Sequence, residues 1–243
     1  MHAFDRVKLL IGKDGYNKLE KASVILFGVG GVGGFCAEAL ARSGIGKITL
    51  IDNDSVSITN INRQIIATVD SVGRQKVEVL KDRLKAINPS LIVDTRCVFY
   101  LKENGDSVDF EGADYVIDAV DTVSAKIEII ERAKRFNIPV ISCMGTGGKL
   151  DITKLQVGDI SVTQGCPLAR VMRRELKKRN VKDVKVVYST EKVSIKDDET
   201  DLMESKGNSG RVAPPSMIFV PASAGLMLAK EVVFDIIKKG DKQ

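Results

Sequence analysis

The chain has 243 residues, 44% of them hydrophobic, a formal net charge of +5 and a mean hydropathy near zero, which suits one large α/β domain or a domain with an appendage. It shows no charged-then-apolar leader, and its most apolar late stretch, 216–237, is broken by Lys230, Glu231 and Asp235, so a cytosolic protein with no membrane span is expected. Cys36, Cys97, Cys143 and Cys166 are far apart with no C-x-x-C, which argues against a zinc knuckle or disulfide framework, and the single histidine, His2, leaves the chemistry to carboxylates, lysines and arginines.

In chain order, residues 4–20 carry helical spacing with Phe4, Val7, Leu10 and Ile11 on one side, then a Gly-Lys-Asp-Gly break at 12–15 and a short second piece ending near Leu19. Residues 23–28 are a strand that runs straight into a glycine cluster, followed by a helix over 35–43 with Gly44 as its stop. Gly28, Gly30 and Gly33 fit G-x-G-x-x-G, with Gly31 inside the same turn. The first glycine lets the chain turn, the second admits a phosphate close to backbone, and the third lets the helix lie on the strand. Phosphate would then meet the free N–H groups and positive end of the helix. Strand 47–51 delivers Asp52 about twenty residues past the last glycine, where an acidic side chain meets ribose hydroxyls.

One or two helical turns are expected over 60–66, a helix over 72–87, strands at 91–96, 114–118 and 138–143, and a helix at 123–136. Alternating strands and helices predict a doubly wound, mostly parallel sheet. Its ligands bind outside the carboxyl ends of the strands, which here read Gly28, Asp52, Asp118 to Asp121, and Met144-Gly145-Thr146-Gly147-Gly148. Past residue 150 the alternation lapses into extended segments over 152–162, a helix at 166–180, strands at 184–188 and 216–220, and a last helix over 222–238. Residues 1–150 therefore form the nucleotide-binding half, and 151–243 a mixed α/β extension of the same domain. Between the late strands, 189–213 is a long polar loop.

Charged residues at this crest separate redox from adenylation chemistry. Asn60 and Arg63 lie one turn apart beyond Asp52, Lys76 is in the first turn of the next helix, and Asp121 follows strand 114–118. Two cations and a carboxylate beside a nucleotide suit ATP with Mg²⁺: the cations offset charge as the α-phosphate is attacked, and Asp121 holds the metal. Singly, Arg63 and Lys76 read as solvated and Asp121 as a helix cap. Residues 166–182 hold seven basic side chains against Glu175 alone, while the whole chain is only +5. Leu168, Val171, Met172 and Leu176 would seat this helix and leave Arg170, Arg173, Arg174, Lys177 and Lys178 outward for a phosphate backbone.

The stretches GVGGVGG, IDNDSVSITNINRQ, VGRQK and VIDAVDT resemble the motifs of the ubiquitin-activating-type adenylyltransferases. Within that superfamily, LARSGIGKITLIDNDSV, TNINRQIIA, INPS, CPLARVMRRELKKR, VVYSTE and VPASAGLMLAKEVV are similar to the bacterial tRNA threonylcarbamoyladenosine dehydratases, and the likeness runs the length of the chain. It implies a Rossmann-like fold in a homodimer. It also implies that Asp52 binds ribose, that Asn60, Arg63 and Lys76 contact phosphates, with Gln64 beside them at the cofactor, that Asp121 serves the metal, and that Arg6 reaches the partner subunit's ATP. The reaction implied is adenylation of the threonylcarbamoyl carboxylate on a tRNA adenosine, then ring closure by the carbamoyl nitrogen with net loss of water. A sulfurtransferase-type protein partner is compatible with it. The alternatives are an adenylyltransferase for the C-terminal glycine of a ubiquitin-like sulfur carrier, and a nucleotide-dependent tRNA-binding module without turnover. Members that activate such carriers typically hold zinc on paired C-x-x-C motifs, which this chain lacks.

Overall fold

The computed structural model describes residues 3–193 and 214–239, so most of the polar loop over 189–213, and His2, lie outside the described residues. Strand β1 (Ser23–Phe27) lies in the interior of a seven-stranded sheet. Its neighbours are β2 (Lys47–Ile51) with β3 (Ile92–Arg96) beyond it on one side, and β4 (Tyr115–Asp118), β5 (Val140–Cys143), β7 (Lys185–Ser189) and β6 (Leu155–Asp159) on the other. All neighbours are parallel except β6, which runs antiparallel to β7. Residues past 150 thus continue the same sheet.

Central strands of a parallel sheet are buried on both faces, so they read as unbroken apolar runs with side chains alternating between two cores. Val24 and Leu26 join the core built by α2 (Gly33–Ser43), α3 (Lys76–Ile87) and α6 (Phe219–Lys238), through Cys36, Leu40, Leu80, Leu228 and Val232. Ile25 and Phe27 join the other, with Tyr100, Phe110, α4 (Val123–Arg135) and α5 (Pro167–Lys178), through Ile130, Met172 and Leu176. Helix α6 is tied to the sheet by Tyr115, whose hydroxyl donates to Asp235 at 2.7 Å, and by Lys185, which pairs with Asp235 at 2.7 Å. It also seats Gly225 directly on α2, where any Cβ would collide with the Val32 carbonyl and come within 3.0 Å of the Cys36 nitrogen.

Helix α1 (Asp5–Lys21) breaks at Gly12, whose φ is +78°, in line with the expected interruption. Several boundaries differ from the sequence reading. The turns expected over 60–66 form a 3₁₀ turn at Ile58–Asn60, and α3 starts at Lys76 because Gly73, with φ +87°, and the Ser55–Gln75 bridge hold the preceding chain out of helix. The extended reading of 152–162 survives only as β6, flanked by 3₁₀ turns at Ile152–Lys154 and Ile160–Val162. The strand expected at 216–220 is absent: Ser216 to Ile218 approach α6, which has already begun at Phe219 with Pro221 in its first turn.

Candidate functional site

The register sets the site. Phe27 pairs with both Ile51 and Asp118, Ile51 with Arg96, and Asp118 with Ser142, so one level row crosses five strands. The residues just past that row, Gly28, Asp52, Cys97, Ala119 and Cys143, open the crest together. Gly28 adopts φ +83°, and a Cβ there would lie 2.7 Å from the Ala119 carbonyl. A Cβ at Gly33 would overlap the Gly28 carbonyl, so the helix starts against the strand end. The space beside Gly30 is looser, with the Gln64 amide 3.6 Å away. That opening, at the N-terminus of α2, is where backbone N–H groups are free to receive an anion.

Asp52 is locked to this loop. Its Oδ2 accepts the Val29 N–H at 2.8 Å and its Oδ1 the Asp54 N–H at 2.8 Å. Burial pushes its carboxyl above the usual range, against the opposing pull of Lys76 and of those two N–H groups. Each carboxylate oxygen keeps a further lone pair for a hydroxyl donor. Lys76, only 6% exposed, reaches back to Asp54 at 2.8 Å, a partner that the sequence reading did not foresee.

Asn60 closes its 3₁₀ turn by accepting the Ser57 N–H, and its carbonyl accepts the N–H of both Arg63 and Gln64. This brings the three side chains to one turn beside the glycines. Arg63 packs its stem 3.5 Å from the Cβ position of Gly31 and donates to the Thr59 carbonyl at 2.8 Å and to Asn62 Oδ1 at 3.1 Å. Burial lowers its pKa from the ordinary guanidinium value, and no carboxylate pairs with it among the described residues. A desolvated cation without a counter-charge is costly, and an anion at the crest would relieve it. Gln64 is buried and its Oε1 has no hydrogen-bond partner. The cradle therefore has an unanswered cation and an unanswered amide on one side, and helix N–H groups on the other.

Asp121 is exposed on the β4–α4 connection. It is not the cap of α4, a position held by Thr122. Among the described residues no group of three His, Cys, Asp or Glu could hold a metal. A single carboxylate suits Mg²⁺, which is commonly held by one or two carboxylates together with substrate phosphates.

Asp118 corrects the expectation that it lines the crest: it is fully buried. Lys126, equally buried, donates to its Oδ2 at 3.0 Å and Oδ1 at 3.2 Å, to Ser142 Oγ at 3.3 Å and to the Cys143 carbonyl at 2.7 Å. This clamp joins the ends of β4 and β5 beneath the loops that carry Asp121 and Met144–Gly148. Nothing in the sequence pairs a strand-end aspartate with a lysine eight residues on. Three of the thiols are withdrawn from the crest surface, since Cys36, Cys143 and Cys166 are buried, while Cys97 is exposed.

Of the basic helix, Arg170, Arg174, Lys177 and Lys178 are exposed. Arg173 is a correction: it folds back and donates to the Thr163 carbonyl and hydroxyl at 2.5 and 2.6 Å, fastening α5 to the preceding turn. Lys178 and Arg179 both pair with Glu175, leaving Arg170 and Lys177 without a carboxylate partner among the described residues. The helix starts beside the crest, with Cys166 and Leu168 within 3.7 Å of the Cβ position of Gly145.

Arg6 lies elsewhere. It lines a groove of about 440 Å³ with Leu10, Leu226 and Phe234, against Ala39 and Ser43 at the far end of α2. Ten residues of helix separate Ser43 from Gly33, roughly 15 Å along the axis.

A family model described as the ThiF family matches residues 4–242. The chain belongs to the ThiF family. A Bacillus subtilis protein named tRNA threonylcarbamoyladenosine dehydratase is 43% identical over 243 residues, covering 98% of this chain and 96% of that one. The crystal structure of the Escherichia coli tRNA N6-threonylcarbamoyladenosine dehydratase in complex with ATP superposes with a TM-score of 0.87 at 34% identity, covering 99% of this chain and 96% of that one. An adenylyltransferase and sulfurtransferase of Kluyveromyces lactis is 36% identical over 143 residues, 58% of this chain and 32% of that one. Among the described residues, no helix of this ThiF-family chain is long and apolar enough to cross a membrane.

Proposed function

We propose that this chain uses ATP to activate the carboxylate of a threonylcarbamoyl group on a tRNA adenosine and closes that group into a ring with net loss of water. The observation that carries the reading is the likeness, end to end, to the Bacillus subtilis dehydratase, which includes α5 and α6 and not the nucleotide cradle alone. A carboxylate oxygen attacks the α-phosphorus and pyrophosphate leaves. The carbamoyl nitrogen then attacks the acyl carbon and AMP leaves, so the nucleoside has lost one water. The attacking nitrogen is already on the substrate, so the reaction calls for no histidine or thiol nucleophile from the protein.

In this reading the glycine loop receives the phosphates, and Asp52, with lone pairs to spare, accepts ribose hydroxyls. Arg63 and Lys76 offset the charge that develops at the α-phosphate, and the Asn60 and Gln64 amides orient the nucleotide. Asp121 holds Mg²⁺, which would neutralise phosphate charge. Arg6, at the wrong end of α2 for its own cradle, acts on the nucleotide of a second copy across a two-fold homodimer. Arg170, Arg174 and Lys177 meet the tRNA backbone.

Incubation with ATP and tRNA bearing threonylcarbamoyladenosine, followed by digestion and mass analysis, tests the proposal. The expected product is a nucleoside lighter by one water, formed together with AMP. Release of AMP only when a ubiquitin-like carrier protein is added would replace this reading with carrier-protein activation.

A further inference from the structure

The run Ser216-Met217-Ile218-Phe219-Val220 has the composition of a strand yet stays outside the sheet, with Met217 49%, Ile218 39% and Phe219 56% exposed while Val220 is fully buried. Contiguous exposed apolar side chains mark an interaction surface more often than isolated ones do. Their position is fixed at both ends. Pro215 accepts the Gly148 N–H at 2.7 Å at the crest loop after β5, and Ser216 accepts the Asn62 side-chain N–H at 2.8 Å beside Arg63. Pro221 then lies 3.4 Å from the Cβ position of Gly31. The segment therefore spans from the crest loop to the phosphate cradle. The same crest loop is touched at Gly145 by Cys166 and Leu168, where the basic helix α5 begins.

We propose that Met217, Ile218 and Phe219 form the platform on which the modified nucleobase of the RNA substrate rests, with Phe219 stacking on the base. The inference builds on the tRNA reading above and names the element that recognises the base. An RNA backbone drawn to Arg170 and Lys177, which lack carboxylate partners among the described residues, delivers a nucleoside over the crest loop beside this apolar patch. Its carboxylate tail must reach the α-phosphate at the glycine loop, and residues 216–219 bridge those two places. A purine offers a π-face to an aromatic ring, and such stacking needs no particular base edge.

The test compares Phe219→Ala, Phe219→Leu and Phe219→Tyr in the full chain, reading KM for modified tRNA, affinity for ATP, and inhibition by free threonylcarbamoyladenosine nucleoside. Phe219→Ala should raise the tRNA KM about tenfold and weaken nucleoside inhibition by a similar factor, with ATP affinity unchanged. Tyr should restore both values and Leu should not. Lys177→Glu should raise the tRNA KM without touching inhibition by the nucleoside, which has no phosphate. A wild-type tRNA KM in Phe219→Ala, equal rescue by Leu and Tyr, or a change of oligomeric state in place of a KM change would each overturn the platform. Failure of the tRNA reading itself is distinct, since wild-type protein would then make no dehydrated nucleoside.

Discussion

The Lys126–Asp118 clamp makes a quantitative prediction about both stability and catalysis. Lys126→Met keeps most of the side-chain volume but leaves the Asp118 carboxylate fully buried with only the Ser142 hydroxyl, at 2.5 Å, and the Val120 N–H, at 3.2 Å. Removing one partner of a buried pair typically costs about 3–5 kcal/mol, because the remaining charge is stranded in a poor solvent for ions. For a domain of this size that corresponds to a loss on the order of 10 °C in Tm. Salt should not alter the loss, since no exposed charge is involved. Adding Asp118→Asn removes the stranded charge, and the double variant should regain most of the lost stability. Urea unfolding with an unchanged slope is the assay. A Lys126→Met protein within about 1 kcal/mol of wild type, or a double variant no more stable than the single one, would refute the reasoning. Because the clamp lies under the Asp121 and Met144–Gly148 loops, the double variant should still turn over slowly despite its recovered stability.

Lys76→Ala or Asp121→Ala should slow turnover by on the order of a hundredfold with the fold intact, since each removes charge stabilisation strongest at the transition state; normal AMP release by a folded Lys76→Ala protein would reject the assignment. Reversing Arg170, Arg174 and Lys177 to Glu should weaken tRNA binding and flatten its salt dependence while ATP affinity stays level, and an unchanged salt slope would return α5 to a merely solvated face. Mixing Arg6→Ala with Asp121→Ala under subunit exchange should restore about half of wild-type activity per mixed dimer, because one of its sites then combines both intact residues; no recovery after verified exchange would place Arg6 in cis or in a structural role. Burial pushes the Cys143 thiol up to about 12 and raises Cys36 as well, so at neutral pH a thiol reagent should label Cys97 alone, and rapid labelling of Cys143 in folded protein would contradict the buried placement.

The early strands and the glycine turn were legible because their signals are local. The apolar run of β1, the glycine spacing after it and Asp52 at the end of β2 each depend on neighbours a few residues away, and 47–51 was bounded to the residue. What failed depends on distant partners. The run at 216–220 has strand-forming side chains, but no open sheet edge meets it, and Pro221 was the overlooked sign of a helix start. Arg173 counts as one more positive charge in the sequence, whereas only the fold brings Thr163 under it. Lys76, expected at the phosphates, also pairs with Asp54, a contact made by the Ser55–Gln75 bridge, which draws the start of α3 against the 52–56 loop.

The seat of Gly225 on α2 bears on the dielectric around the cradle. With α6 touching the Val32 carbonyl and the Cys36 nitrogen, that flank of the first turn of α2 is covered by protein where water would otherwise lie. The partial charge at a helix N-terminus, roughly half an elementary charge, is weakened chiefly by solvent dipoles. Two charges 4 Å apart interact about fourfold more strongly at an effective dielectric constant near 20 than in bulk water. Gly225 thus raises the field that an anion at the cradle would meet, by keeping solvent from that flank of the first turn of α2.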